Sequence, residues 1–131
     1  MKIAAITDDG KTISQHFGRA KYYLVAKIEQ GKVVDHEMRP KLGHAQLADQ
    51  PHVDLPGQPH GMDPAAHDRH LRMAEAIADC EVLLCRGMGM GAYQSMLAAG
   101  IRPVVTDISS IEQALQACVT GQIVDHPERL H

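Results

Sequence analysis

The segment KIAAIT at residues 2–7, followed by DDGK at residues 8–11 and SQHFGRA at residues 14–20, decides the fold assignment. The first segment is a continuous apolar run, which is typical of a strand buried on both faces of a sheet. The polar segment after it predicts a turn. The third segment therefore lies in a loop that leaves the end of a buried strand, where α/β scaffolds usually present functional side chains.

The composition indicates one soluble domain that does not bind nucleic acid. The chain has 131 residues, of which 44% are apolar and only 3% aromatic, so aliphatic side chains must build the core. Its formal net charge is −3 and no run of Lys or Arg exceeds two residues. A nucleic-acid partner is disfavoured because such binding rests on clustered cations.

The cysteines and the N-terminal residues indicate a cytoplasmic protein. The three cysteines, Cys80, Cys85 and Cys118, show no C-x-x-C spacing, which disfavours a disulfide framework and a Cys-rich zinc site. The apolar run at residues 3–6 is too short for a signal peptide or a membrane span. We therefore expect no membrane association.

The hydrophobic pattern predicts the element order β-β-β-α-β-α-β-α. Residues 22–29 and 32–38 form a predicted hairpin, and the later strands at residues 82–85 and 102–106 are each preceded by a helix. Strands joined through helices should be parallel, with right-handed crossovers. The last helix is expected to begin at a capping box formed by Ser109 and Glu112. The prediction is a single three-layer α/β/α domain over residues 1–131, with a mixed five-stranded sheet.

Two segments fall outside these elements. Residues 41–63 are rich in His and Pro, which excludes regular structure, and a loop of this length is usually functional or disordered. Five of the nine histidines lie between His44 and His70. Residues 122–131 form a polar tail, of which residues 125–131 are expected to fray.

The topology predicts where functional side chains meet. In a sheet of this kind the crevice lies beyond the carboxyl ends of the parallel strands. Three segments leave the sheet there: residues 8–20, 85–91 and 106–110. We therefore expect His16, Cys85 and the glycine-rich turn to share one end of the molecule.

The His16 loop has a functional and a structural interpretation. His16 is a candidate metal or cluster ligand, Phe17 would shield the site, Gly18 would permit close approach of the backbone, and Arg19 could neutralise an anion. The structural interpretation is a turn whose Phe fills the core and whose His is solvated. No general principle makes His-Phe-Gly-Arg diagnostic.

The glycine turn offers a second candidate. Gly87, Gly89 and Gly91 could present bare N–H groups at a helix N-terminus, which favours anions. The alternative is a tight strand-to-helix turn without a ligand. Cys85, just before the turn, could be a thiolate ligand or a small buried hydrophobe.

Other residues suggest different chemistry. His67 and His70 are three residues apart and so share a helix face, and with His60 they could hold Zn, Ni or Cu. Alternatively they are solvated polar residues. Asp8 and Asp107 leave strand ends and could hold Mg²⁺ for phosphoryl transfer, but no third carboxylate is evident.

The sequence resembles the dinitrogenase iron–molybdenum cofactor biosynthesis family, which includes the NifX and NafY carriers, the carboxy-terminal domain of NifB and the orange protein. The resemblance rests on residues 1–4, 13–20 and 23–25, on the turn at residues 85–89, and on residues 101–105 and 111–121. It covers nearly the whole chain except roughly residues 41–66.

The resemblance implies a ribonuclease-H-like fold and a non-enzymatic carrier. It implies binding of an anionic metal–sulfur cluster, either Fe–S or molybdenum-containing, with His16 as a ligand. A cluster-assembly or acceptor protein is the implied partner. The chain could act as a monomer or a homodimer, and nitrogenase involvement does not follow.

Overall fold

A computed structural model describes residues 1–41 and 64–130, with the side chains of residues 64–68 left out. The strands in this part of the chain are β1 (Lys2–Thr7), β2 (Tyr22–Glu29), β3 (Lys32–Pro40), β4 (Val82–Cys85) and β5 (Arg102–Val105). The helices are α1 (Pro64–Glu75), α2 (Met90–Ala98) and α3 (Ile111–Val119), followed by a 3₁₀ turn at Pro127–Arg129.

The five strands form one mixed sheet in the order β3-β2-β1-β4-β5. β1 pairs antiparallel with β2 and parallel with β4, and β5 is parallel to β4. β2 and β3 form the predicted hairpin, which turns at Gln30 and Gly31, both at positive φ. The predicted α/β fold, element order and strand directions are confirmed, and the order is consistent with a ribonuclease-H-like fold.

Alternation along β2 shows that the sheet is covered on both faces. Tyr23 is fully buried and its hydroxyl donates to the carbonyl of Met73 at 3.0 Å, just before the end of α1. Burial raises the pKa of this phenol above its ordinary value. The next side chain, Leu24, lies on the opposite face, in a groove beside Ile111 and Leu115 of α3. The sheet is therefore the middle of three layers.

The carboxyl ends of β1, β4 and β5 lie at one end of the sheet, and α1, α2 and α3 begin at that end. The reason is that α1 leads back to the start of β4, α2 leads back to the start of β5, and α3 follows β5 directly.

The cap of α3 lies one residue later than predicted. Ser110, not Ser109, is the N-cap, and its side chain accepts from the backbone N–H of Gln113 at 3.3 Å. The carbonyl of Ser109 instead accepts from the N–H of Ile13 at 2.8 Å.

The polar tail is fixed to the sheet, so the expectation that it frays is wrong for its described part, up to residue 130. The side chain of Asp125 accepts from the N–H of Val105 at 2.9 Å, and the N–H of His126 donates to the carbonyl of Val105 at 2.9 Å. Leu130 forms a parallel bridge with Met88. These bonds satisfy backbone groups of β5, which would otherwise be an open edge strand.

Candidate functional site

The loop that follows β1 is fixed by its own polar side chains. Thr7 is fully buried, and its hydroxyl donates to the carbonyl of Thr12 at 2.7 Å. Asp9 accepts from the backbone N–H groups of Lys11 and Thr12, both at 2.8 Å. These bonds hold the pKa of Asp9 well below its usual range. The chain is thus turned tightly before it reaches residue 14.

The segment at residues 14–20 presents His16 outward and Phe17 inward. The carbonyl of His16 accepts from the N–H groups of Arg19 and Ala20, at 3.2 and 3.1 Å, which closes a turn. Phe17 is only 5% exposed and joins the core, whereas His16, Gly18 and Arg19 are exposed. The structure therefore gives the turn an anchor in the core and places an imidazole and a guanidinium on its outer side.

Lys41 holds this turn from beneath, a feature that the sequence analysis missed. It is only 2% exposed, and its ammonium group donates to the carbonyls of Phe17 and of Ala20, the latter at 3.2 Å. The same group lies 4.3 Å from the centroid of the Phe17 ring, within the range of a cation–π contact. Burial lowers the pKa of Lys41 to about 8, and the charge of Asp8 opposes that shift.

The glycine turn lies directly beside the His16 turn. A Cβ atom on Gly87 would stand 3.6 Å from the carbonyl oxygen of Gln15, so the residue before His16 contacts the turn. Met88 is 1% exposed and anchors the turn in the core. The expected convergence of residues 8–20 with residues 85–91 is confirmed by this contact.

The three glycines of this turn are not needed for a left-handed backbone conformation. None of Gly87, Gly89 and Gly91 is among the residues at positive φ, and Gly89 is the extended N-cap of α2, with φ −73°. Instead, Gly91 makes room for His70 of α1, because a Cβ at Gly91 would lie 3.1 Å from the Cε1 atom of that imidazole. Gly18, by contrast, has open space where its Cβ would be.

Arg86 is the second residue that the sequence analysis did not select. It follows the last residue of β4 and precedes Gly87, and the residue is half-buried. Its Nε atom is enclosed and, within the described part of the chain, is the one buried side-chain nitrogen or oxygen without a hydrogen-bond partner. An arginine directly before a glycine turn was the available sequence signal. The arrangement fits an anionic ligand, which would supply the missing acceptor.

Cys85 lies in the core. It is 0% exposed, and its thiol points to the carbonyl of Val104 at 3.6 Å. Burial raises the pKa of this thiol to about 12, so it is protonated at neutral pH. Its predicted role as a ligand is therefore disfavoured, and the alternative interpretation, a small buried hydrophobe, matches its surroundings.

The histidine metal site that was predicted from His60, His67 and His70 stays a prediction. His60 lies outside the described residues, and His67 lies in α1 with its side chain not described. His70 is half-buried against Gly91. Among the described residues, no three His, Cys, Asp or Glu side chains are grouped so as to hold a metal ion.

The two aspartates considered for Mg²⁺ have structural partners. Asp8 accepts from the backbone N–H of Lys21 at 3.0 Å, which fixes the return of the chain into β2. Asp107 pairs with Arg129 and lies 3.0 Å from the imidazole of His126, which fastens the tail. Both carboxylates are thus engaged in holding loops at this end of the sheet.

The fold and this site together define an α/β domain with an exposed histidine turn beside a glycine turn, at the carboxyl ends of its parallel strands. The dinitrogenase iron–molybdenum cofactor family matches residues 1–121, and the chain belongs to that family. No helix among the described residues is long and apolar enough to cross a membrane.

Solved structures share this fold over nearly their whole length. The crystal structure of PH0822 has 21% sequence identity and a TM-score of 0.67, with 98% of each chain covered. The apo orange protein from Desulfovibrio gigas has 20% identity and a TM-score of 0.67, over 96% of this chain and 92% of that one. No curated protein matches the chain significantly.

Proposed function

We propose that this protein is a non-enzymatic carrier that binds an anionic metal–sulfur cluster in cofactor assembly and passes it to an assembly or acceptor protein. Membership of the iron–molybdenum cofactor family supports the class of cargo. The observation that carries the proposal is the contact between the two turns, in which Gln15 lies against Gly87 and the next residue, His16, is exposed. The cargo is Fe–S, Mo–Fe–S or Mo–Cu–S in composition.

Each part of the site has a role that its chemistry allows. The exposed imidazole of His16 is the cluster ligand, since a neutral ring nitrogen binds Fe, Cu and other soft or borderline metals. Arg19 and the backbone N–H groups of the turn at residues 87–91 offset the negative charge of the cluster. Phe17 and Lys41 fix the position of the turn that bears His16.

The proposed function is binding and release of a cluster, without catalytic turnover. The two candidate catalytic carboxylates, Asp8 and Asp107, already hold loops in place. A carrier needs a site that opens to solvent, so that a second protein can take the cargo. The exposure of His16 and Arg19 fits that requirement.

Anaerobic reconstitution with iron, sulfide and molybdate tests this function. The visible spectrum of the wild type should show a bound chromophore, which His16→Ala should lose or shift. His36→Ala is the matched control, because His36 is exposed on β3, away from the two turns, and should load normally.

Two results would contradict the proposal. An unchanged chromophore in His16→Ala would remove His16 from the ligand set. Stoichiometric zinc binding without any cluster uptake, abolished in a His67→Ala/His70→Ala variant, would favour the mononuclear metal site instead.

A further inference from the structure

The Nε atom of Arg86 is buried without a hydrogen-bond partner among the described residues, and this bears on how the site recognises a cluster. A guanidinium Nε–H that is shielded from water and has no acceptor is costly, so native proteins rarely retain one without a function. Among the described residues Arg86 is the one that presents this problem. The missing acceptor is therefore a feature of the site that calls for an explanation.

The location of Arg86 restricts what the acceptor could be. The residue connects buried Cys85 to Gly87. A Cβ atom on Gly87 would lie 3.6 Å from the carbonyl oxygen of Gln15, so the two backbones are close there. Arg86 and His16 are thus each one residue away from the contact that joins the two turns. The junction of the two turns is therefore the place in the chain where a ligand held by His16 and a donor from Arg86 are closest in sequence to a shared contact.

Three carboxylates at or bonded to these strand ends have other partners. Asp107 pairs with Arg129 and His126, Asp125 accepts from the N–H of Val105, and Asp8 accepts from the N–H of Lys21. None of these bonds involves Arg86. Among the described residues its Nε–H has no acceptor, and a bound anion could supply one.

We propose that Arg86 is the charge-recognition residue of the site, donating its Nε–H to a sulfide or oxide of an anionic thiometallate seated between the His16 turn and the glycine turn. This inference rests on the proposed function and adds a specificity to it. Arginine suits the task, because its planar fork of donors binds anions at a fixed angle and its charge persists at all accessible pH values. The residue therefore selects anionic cargo over free metal cations.

Charge recognition and metal ligation are separable experimentally. Tetrathiomolybdate is an anion whose metal already has four sulfur ligands, so its binding draws on charge and hydrogen bonds rather than on a histidine ligand. Anaerobic equilibrium dialysis of tetrathiomolybdate against the wild type, Arg86→Gln and Arg86→Lys measures the anion affinity alone. Arg102→Gln is the control, because Arg102 is an exposed arginine at the start of β5, at the opposite end of the sheet.

We expect Arg86→Gln to weaken binding at least tenfold, with Arg86→Lys in between, since lysine restores the charge but not the planar donor. Arg102→Gln should bind as the wild type does. Thermal unfolding without ligand should show Arg86→Gln to be as stable as the wild type or more stable, because the substitution removes an unsatisfied group. The anion should then raise the melting temperature of the wild type more than that of Arg86→Gln.

Three results would overturn the inference. The first is equal anion affinity in the wild type and Arg86→Gln. The second is destabilised Arg86→Gln with undiminished anion affinity, which would make Arg86 structural. The third is a wild type that takes up a cluster during reconstitution but does not bind tetrathiomolybdate, in which case the carrier function would stand without this role for Arg86. Failure of both cluster and anion binding would remove the carrier function as well.

Discussion

The His16 turn and the glycine turn lie in contact, yet they are stabilised in opposite ways. The His16 turn has satisfied polar groups, with Lys41 donating to two of its carbonyls and Asp9 organising the chain before it. The glycine turn depends on Met88 in the core and leaves the enclosed Nε–H of Arg86 without a partner among the described residues. The difference fits the proposed site, in which one turn is preformed to position His16 and the other retains a donor that lacks an acceptor.

Replacing the core anchor of the first turn should have the largest effect. Phe17→Ala removes a ring that is 5% exposed and that contacts the ammonium of Lys41, so we expect the free energy of unfolding to fall by about 3–5 kcal/mol. Urea denaturation measures this. Met90→Ala, at a side chain that is 46% exposed, is the control and should cost about 0.5 kcal/mol or less. Equal stability of the two variants would mean that Phe17 does not anchor the turn.

The buried Lys41 should make the stability of the protein depend on pH. Its pKa is about 8 in the folded protein, against 10.5 for a lysine exposed to water, because burial disfavours the charged form. Between these two values the unfolded chain binds more protons, so stability should rise with pH from 8 towards 10.5, by at most about 3 kcal/mol.

The variant Lys41→Met isolates that contribution. Urea denaturation across pH 7.5 to 10.5 should show a steeper rise for the wild type than for Lys41→Met. The difference between the two curves should be flat below the folded pKa, where Lys41 is charged in both states. Parallel curves over the whole range would contradict a shifted Lys41.

A contact beside the second turn should have a smaller effect. Gly91→Ala adds a methyl group 3.1 Å from Cε1 of His70, which opposes the gain of about 0.5–1 kcal/mol from replacing glycine in a helix. We expect a net change within about 1 kcal/mol. In a His70→Ala background the same substitution should stabilise, and a double-mutant cycle measures the coupling. Additive effects would show that His70 does not pack on Gly91.

The smallest stability effect is expected at Gly18. A Cβ there meets no atom of the described residues within 4 Å, so Gly18→Ala should leave the free energy of unfolding within about 0.5 kcal/mol of the wild type. Because Gly18 is exposed in the same turn as His16, a bulkier Gly18→Val should reduce cluster loading while the fold persists. Full loading of Gly18→Val would place the cargo away from this face of the turn.

The sheet and the order of its elements were predictable from the sequence, because each depends on short-range patterns. The apolar run at residues 2–7 marks a buried strand, and Gln30 with Gly31 leaves space only for a tight hairpin. Strands separated by helices follow the right-handed crossover rule. The meeting of the His16 loop with the glycine turn follows from the same rule.

The supports of the site were not predictable, because they depend on contacts distant in sequence. Lys41 looked like a loop residue, and only the fold puts its ammonium beneath Phe17, 24 positions away. Cys85 ends a strand in either interpretation, and only the fold shows the burial that favours the core interpretation. The tail appeared free because its partners, Val105 and Met88, are in other elements.

By itself the sequence determined the α/β fold, the position of the two turns at one end of the sheet, and a resemblance to a family that the match over residues 1–121 then established. These properties follow from periodicity, chain direction and local turn chemistry, all of which act over a few residues. The tertiary structure alone decided which polar groups are satisfied. It pairs Lys41, Asp107 and Asp125 with distant partners and leaves the Nε of Arg86 without one among the described residues, because hydrogen-bond satisfaction in a core is set by packing of the whole fold.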